Sequence, residues 1–143
     1  MKIVNEDILT VTSGVIAHGV NCQRAMGSGV AKVLYTKYPE VREVYMQGGK
    51  GDLGSVTIVP INSELTIVNC YTQEFYGYDG KRYASPEALK GCMFILSEMY
   101  EEVHLPAIGC GLAGLELKEL KEILLKIEER KGKDVFILHL LGE

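Results

Sequence analysis

The residues best suited to chemistry lie in two glycine-rich stretches. The first is His18-Gly19-Val20-Asn21-Cys22-Gln23-Arg24-Ala25-Met26-Gly27-Ser28-Gly29-Val30, which follows an apolar run and opens a helix pattern. A strand that breaks into such a turn and then a helix leaves backbone N–H groups unpaired. With the positive end of the helix dipole, those groups seat phosphate oxygens. Gly27 and Gly29 allow a closer approach to a ligand than a Cβ would. The second stretch, Ile108-Gly109-Cys110-Gly111-Leu112-Ala113-Gly114, follows a short apolar run at 103–107 and precedes a long helix pattern. Loops at the C-terminal ends of strands suit the crevice where open α/β sheets bind ligands, and two of them can grip a diphosphate from both sides. Glycines also serve simply to turn a chain, so the loops alone do not decide function.

The elements that must carry these loops follow from the apolar pattern. Ile3 and Val4 start a short strand, and residues 14–20 form a second, apolar enough to be buried on both faces. Residues 28–38 read as a helix with Ser28 as its cap, stopped by Pro39, and 40–47 add a turn or two. Residues 55–60 and 65–71 read as a hairpin joined through Asn62-Ser63-Glu64. Ser85-Pro86-Glu87 opens a helix to about Tyr100, residues 117–130 form a strongly amphipathic one, and 135–141 form a last strand. Six strands interleaved with three or four helices predict a three-layer α/β/α sandwich, its sheet mixed but mostly parallel, built as one domain over residues 1–143. Residues 72–83 stand apart, with Phe75, Tyr76, Tyr78 and Tyr83 among glycines and charges. Two readings stand: the aromatics pack the loop down, or they wall a flat or sugar-like ligand.

Composition narrows the function classes. At 143 residues and 47% hydrophobic content the chain can fill one core. It shows no membrane-length apolar run and no signal-peptide pattern. A net charge of −4 without a basic block argues against a nucleic-acid backbone as partner, though not against one phosphorylated small molecule. Cys22, Cys70, Cys92 and Cys110 are widely spaced and no His pair has metal spacing. The expectation is a reduced, cytoplasmic protein with no metal and no cofactor, its oligomeric state open.

Four motifs taken in order resemble the macro domain family over nearly the whole chain. They are Asp7-Ile8 after the first strand, His-Gly-Val-Asn-Cys leading into Met-Gly-Ser-Gly-Val-Ala, Lys37-Tyr38-Pro39, and Leu-Pro-Ala-Ile-Gly-Cys-Gly-Leu-Ala-Gly before the 117–130 helix. Within the family the chain is most similar to the ADP-ribose 1''-phosphate phosphatase-like branch. The resemblance implies a pocket for ADP-ribose or a derivative. Asp7 would accept from the adenine amino group with the Ile8 backbone beside it. Met26, Gly27, Ser28, Gly29 and Val30 would line one side of the diphosphate. Ile108, Gly109, Cys110, Gly111, Leu112 and Ala113 would hold the other side and the distal ribose, with Asn21 at a hydroxyl of that ribose. At Cys110 the backbone amide is the expected contributor, since no histidine adjoins the thiol in sequence to activate it.

Members that release ADP-ribose from acidic side chains are understood to use a lysine after the middle strand and an acidic group in the second loop. Gln73 and Ala113 stand at those positions here, and neither can supply amine-based catalysis. The implied enzyme is a phosphatase that removes the terminal phosphate of ADP-ribose 1''-phosphate through water oriented by His18, Asn21 and Gln73. His18 is then the base, its ordinary pKa lying near neutrality. Alternatively His18 bonds backbone on a buried strand and orders Asn21. His104 and His139 are expected to be structural. Two other functions stay open: a non-catalytic ADP-ribose-binding module, or a water-based hydrolase of O-acyl-ADP-ribose or ADP-ribosylated macromolecules.

Overall fold

The computed structural model describes residues 1–23, 29–48, 51–74, 83–110 and 114–141. Its strands are β1 (Lys2–Val4), β2 (Gly14–Asn21), β3 (Val56–Pro60), β4 (Leu65–Gln73), β5 (Val103–Leu105) and β6 (Phe136–His139). Four α-helices occur among the described residues: α1 (Gly29–Lys37), α2 (Glu40–Gln47), α3 (Pro86–Met99) and α4 (Leu117–Lys131). A 3-10 turn, Ile8–Thr10, follows β1. The strands form one sheet in the order β1-β6-β5-β2-β4-β3, parallel throughout except for the β3–β4 hairpin. This is the mixed, mostly parallel α/β sheet that the apolar pattern predicts.

Alternate residues of the central strands feed two apolar layers. Ala17, Val68, Cys70 and Leu105 pack with Leu89, Met93 and Leu96 of α3 and Leu120 and Leu124 of α4. On the other face Ile16, Val20, Ile67 and Tyr71 pack with Leu34 of α1 and with Val41 and Tyr45 of α2. The helix boundaries have local causes. Ser85 Oγ accepts from the Ala88 N–H at 3.1 Å with Pro86 opening α3, and Gly132, at φ +71°, closes α4. Among the described residues no helix is long and apolar enough to cross a membrane.

Several strand ends differ from those expected. β4 runs on to Gln73, because Gln73 still pairs with Asn21 and with Ala84. β5 stops at Leu105, where Pro106 has no N–H to continue a ladder. β6 covers Phe136–His139 rather than 135–141. Ser28, the expected cap of α1, lies outside the described residues.

Candidate functional site

The connections from β2 run through α1 and α2 toward the β4–β3 side, whereas β5 leads through α4 to β6 on the other. Adjacent parallel strands whose crossovers diverge open a crevice at their carboxyl ends. Asn21 ends β2, Gln73 ends β4, and Ile108 to Cys110 follow β5, so these predicted residues gather at one edge of the sheet. Asn21 and Gln73 are brought side by side by an irregularity. Val20 pairs with Tyr71 but Asn21 pairs with Gln73, leaving Thr72 as an extra residue. Thr72 fits because residue 19 is glycine: a Cβ there would lie 2.8 Å from Thr72 Oγ1 and 3.0 Å from Ile108 Cγ2.

The Asn21 carboxamide is held in one orientation. Its Oδ1 accepts from the Gln23 backbone N–H at 2.9 Å and lies 2.9 Å from the Tyr45 hydroxyl. A backbone N–H can only donate, so the atom facing it is the oxygen, and the NH₂ group is turned the other way. The Tyr45 hydroxyl also reaches the Asn21 carbonyl, at 2.7 Å.

His18 lies in the core, not in the cleft. It is fully buried opposite Asn69 in the β2–β4 register, and its Nε2 meets Asn69 Oδ1. Asn69 Nδ2 donates to the Val41 carbonyl of α2 at 3.2 Å, which turns Oδ1 toward His18, so Nε2 carries the proton. His18 Nδ1 is buried with no partner among the described residues. Burial is the main cause that lowers the His18 pKa from 6.5 to about 4, opposed by the bond to Asn69. Two expectations are corrected here. An enclosed, weakly basic imidazole is not poised to take a proton from water, and its partner is the Asn69 side chain instead of backbone.

On the β5 side the Ile108 N–H donates to the Pro106 carbonyl at 2.7 Å and the Cys110 N–H to the Ala107 carbonyl at 3.1 Å. The Cys110 amide is therefore committed to the turn, which corrects the expectation that it faces a ligand. Gly109 between them has φ +80°, in the region that favours glycine. Met26, Gly27, Ser28, Gly111, Leu112 and Ala113, with Phe75, Tyr76 and Tyr78, lie outside the described residues. Of the first loop's predicted ligand residues, Gly29 (φ +66°) and Val30 are described, both exposed at the start of α1.

Asp7 sits at the carboxyl end of β1, exposed. Its Oδ1 accepts the Leu9 N–H at 2.9 Å, which caps the 3-10 turn and fixes the carboxylate. Ile8 beside it is buried, and Lys37 Nζ donates to the Leu9 carbonyl at 3.0 Å. His139 Nδ1 donates to the Glu6 carbonyl at 3.1 Å and meets His104 through its Nε2 at 2.9 Å. That pair ties β5 and β6 to the segment bearing Asp7. Among the described residues no cluster of three or more His, Cys, Asp or Glu side chains is placed to hold a metal ion. The sequence reading missed Tyr45 and the role of Asn69. Asn69 had a signal, as a polar residue within an apolar strand, whereas Tyr45 sits on a helix face where tyrosine is ordinary core.

No family model matches the chain. It is 34% identical over 110 residues to an uncharacterized 17.5 kDa protein from the tk-vs intergenic region of Enterobacteria phage T4, a match spanning 68% of each chain. Among solved structures, the macrodomain of Thermus aquaticus DarG matches at TM-score 0.79 and 19% identity over 97% of both chains. Thermosipho africanus DarTG, solved in complex with ADP-ribose, matches at TM-score 0.78 and 18% identity, over 99% of this chain and 42% of that one. The fold is that of the macrodomains.

Proposed function

We propose that this chain, which belongs to the family of the 17.5 kDa phage T4 protein and has the macrodomain fold, binds ADP-ribose or a derivative of it. The observation that carries the proposal is the meeting of Asn21 and Gln73 at the carboxyl-end crevice, with the Asn21 carboxamide already oriented. Asp7, fixed by the Leu9 N–H at the end of β1, supplies an acceptor for the adenine amino group. The DarTG complex supports the ligand class. In this proposal residues 1–143 act as one binding unit. ADP-ribose is expected to bind with a free energy of roughly −7 to −9 kcal/mol, a micromolar-range constant. A calorimetric titration with neither heat nor thermal shift at millimolar ligand would overturn the assignment.

For turnover we propose hydrolysis of the terminal phosphate of ADP-ribose 1''-phosphate by a water that Asn21 and Gln73 orient, with no metal in the scheme. Water attacks phosphorus, the bond from phosphorus to the ribose oxygen breaks, and that oxygen takes a proton as phosphate leaves. Carboxamides orient water but do not deprotonate it, so the rate depends on positioning. One observation favours the second reading, a module that binds without turnover: His18, the nearest imidazole in sequence, is enclosed by the core. Phosphate release measured beside the binding titration separates the two readings. Binding without release leaves the module standing.

A further inference from the structure

We propose that Tyr45 is a positioning residue for the ligand: its hydroxyl sets the Asn21 carboxamide that grips the distal end of ADP-ribose. The inference rests on the binding site proposed above and deepens it by bringing α2 into the grip. Tyr45 is fully buried, and its one hydroxyl hydrogen is shared between two acceptors of the same residue, the Asn21 carbonyl at 2.7 Å and Oδ1 at 2.9 Å. A phenol bridging backbone and side chain of one asparagine fixes both the chain direction at the end of β2 and the rotamer. The Asn21 NH₂ group is thereby aimed before any ligand arrives, and such preorganisation raises affinity by removing an ordering cost.

The hydroxyl is itself placed by packing from three sides. One turn earlier on α2, the Val41 carbonyl accepts from Asn69 Nδ2, so the helix is pinned to the sheet at two successive turns. The Tyr71 ring lies 6.0 Å from the Tyr45 ring, centroid to centroid. Gly51 lies against the far part of Tyr71, where a Cβ would come within 1.9 Å of the ring. Helix height, ring neighbour and loop thus fix one location for the oxygen. With its oxygen toward Tyr45 and Gln23, Asn21 turns its NH₂ group the other way, and the chemistry of an NH₂ donor suits a ribose hydroxyl or a phosphate oxygen at the distal end.

Tyr45→Phe keeps the ring and removes only the hydroxyl. ADP-ribose and ADP, which lacks the distal ribose, would be titrated into the parent, Tyr45→Phe, Asn21→Ala and the double variant. Tyr45→Phe is expected to weaken ADP-ribose about tenfold while ADP stays within about twofold. In the Asn21→Ala background the same change is expected to have no further effect, because Tyr45 acts through Asn21. Equal weakening of both ligands, or a loss that persists without Asn21, would overturn the proposal. An unchanged Tyr45→Phe in a parent that binds would overturn it too, leaving the binding site intact. A parent that binds no ADP-ribose overturns both. Should Tyr45→Phe fail to fold, the parent still answers by proton NMR. The Tyr45 hydroxyl signal is expected to shift on addition of ADP-ribose and to stay put with ADP, and no shift with ADP-ribose is the contrary result.

Discussion

The two walls of the crevice are built on different principles. On the β2 side no described residue comes within 4 Å of where a Cβ on Gly29 would stand, and His18 is enclosed with the Asn69 side chain as its partner. On the β5 side a Cβ at Gly109 would lie 3.1 Å from both Ala84 Cβ and Leu115 Cδ2. Its histidine, His104, is mostly but not fully buried and is part of a chain. His139 Nδ1 must carry a proton to donate to the Glu6 carbonyl, so its Nε2 accepts from His104 Nδ1, and His104 Nε2 lies 3.5 Å from Glu102 Oε1, an ion pair when the ring is protonated. A glycine with no described side chain against it leaves room for a ligand. A glycine against side chains serves the fold. Both have positive φ, so dihedral angles alone would not have distinguished them.

The contrast is broken most forcefully at Gly109. Gly109→Val adds left-handed strain and overpacking against Ala84 and Leu115, an expected loss of about 3–5 kcal/mol of stability by urea denaturation. If stability holds while ADP-ribose binding disappears, the β5 glycine serves the ligand after all. Next in size is acid sensitivity on the β2 wall. His18 has a folded pKa of about 4 against 6.5 when unfolded, so the unfolded state takes the proton first as pH falls. Stability present above pH 6.5 is therefore lost progressively down to pH 4, by up to about 3 kcal/mol. His104, also lowered, first by burial and then by His139, shifts stability in the same direction. His18→Gln is expected to flatten the pH dependence of the urea midpoint much more than His104→Gln, and equal flattening would erase the difference between the walls. If turnover occurs, its rate should show no ionisation near 6.5 that His18→Gln removes.

Smaller effects test the ligand side. Gly29→Val is expected to cost about 1–2 kcal/mol of stability from its positive φ. Its main effect is loss of ADP-ribose binding by calorimetry, and a variant that binds like the parent would make this glycine only a turn. Asp7→Ala should weaken ADP-ribose by about 1–2 kcal/mol and leave ribose 5-phosphate unchanged, since only the first carries adenine. Equal losses for both would assign Asp7 to capping the 3-10 turn instead.

Most of the scaffold was legible because each element carries its own local cause. The apolar run of β2, Pro86 after Ser85, and the leucine stripe of α4 each follow from pattern and capping without reference to the rest of the chain. For the candidate site, the placement of Asn21, Gln73 and Asp7 at or near strand ends was legible, because the pattern marks those ends. What was not legible depends on contacts across the sequence. The side-chain partner of His18 is Asn69, 51 positions away, and the hydroxyl that joins Gln23 in holding the Asn21 oxygen comes from Tyr45, 24 positions away. The commitment of the Cys110 amide to Ala107 is local, but glycine-rich composition does not tell which amides a turn consumes.

The extra residue at Thr72 acts on β4 as an insertion acts on a reading frame. Up to Tyr71 the strand is read in step with β2, and the one pair after it is displaced by one, which is how Gln73 comes to stand beside Asn21. The displaced frame is accommodated at Gly19, where a Cβ would meet Thr72 Oγ1 and Ile108 Cγ2, so residues of three separate strands or strand ends share one small volume. The three positions are therefore not independent letters. A larger residue at 19 becomes tolerable only with smaller ones at 72 and 108, and the sheet can drift in sequence there by compensated change alone.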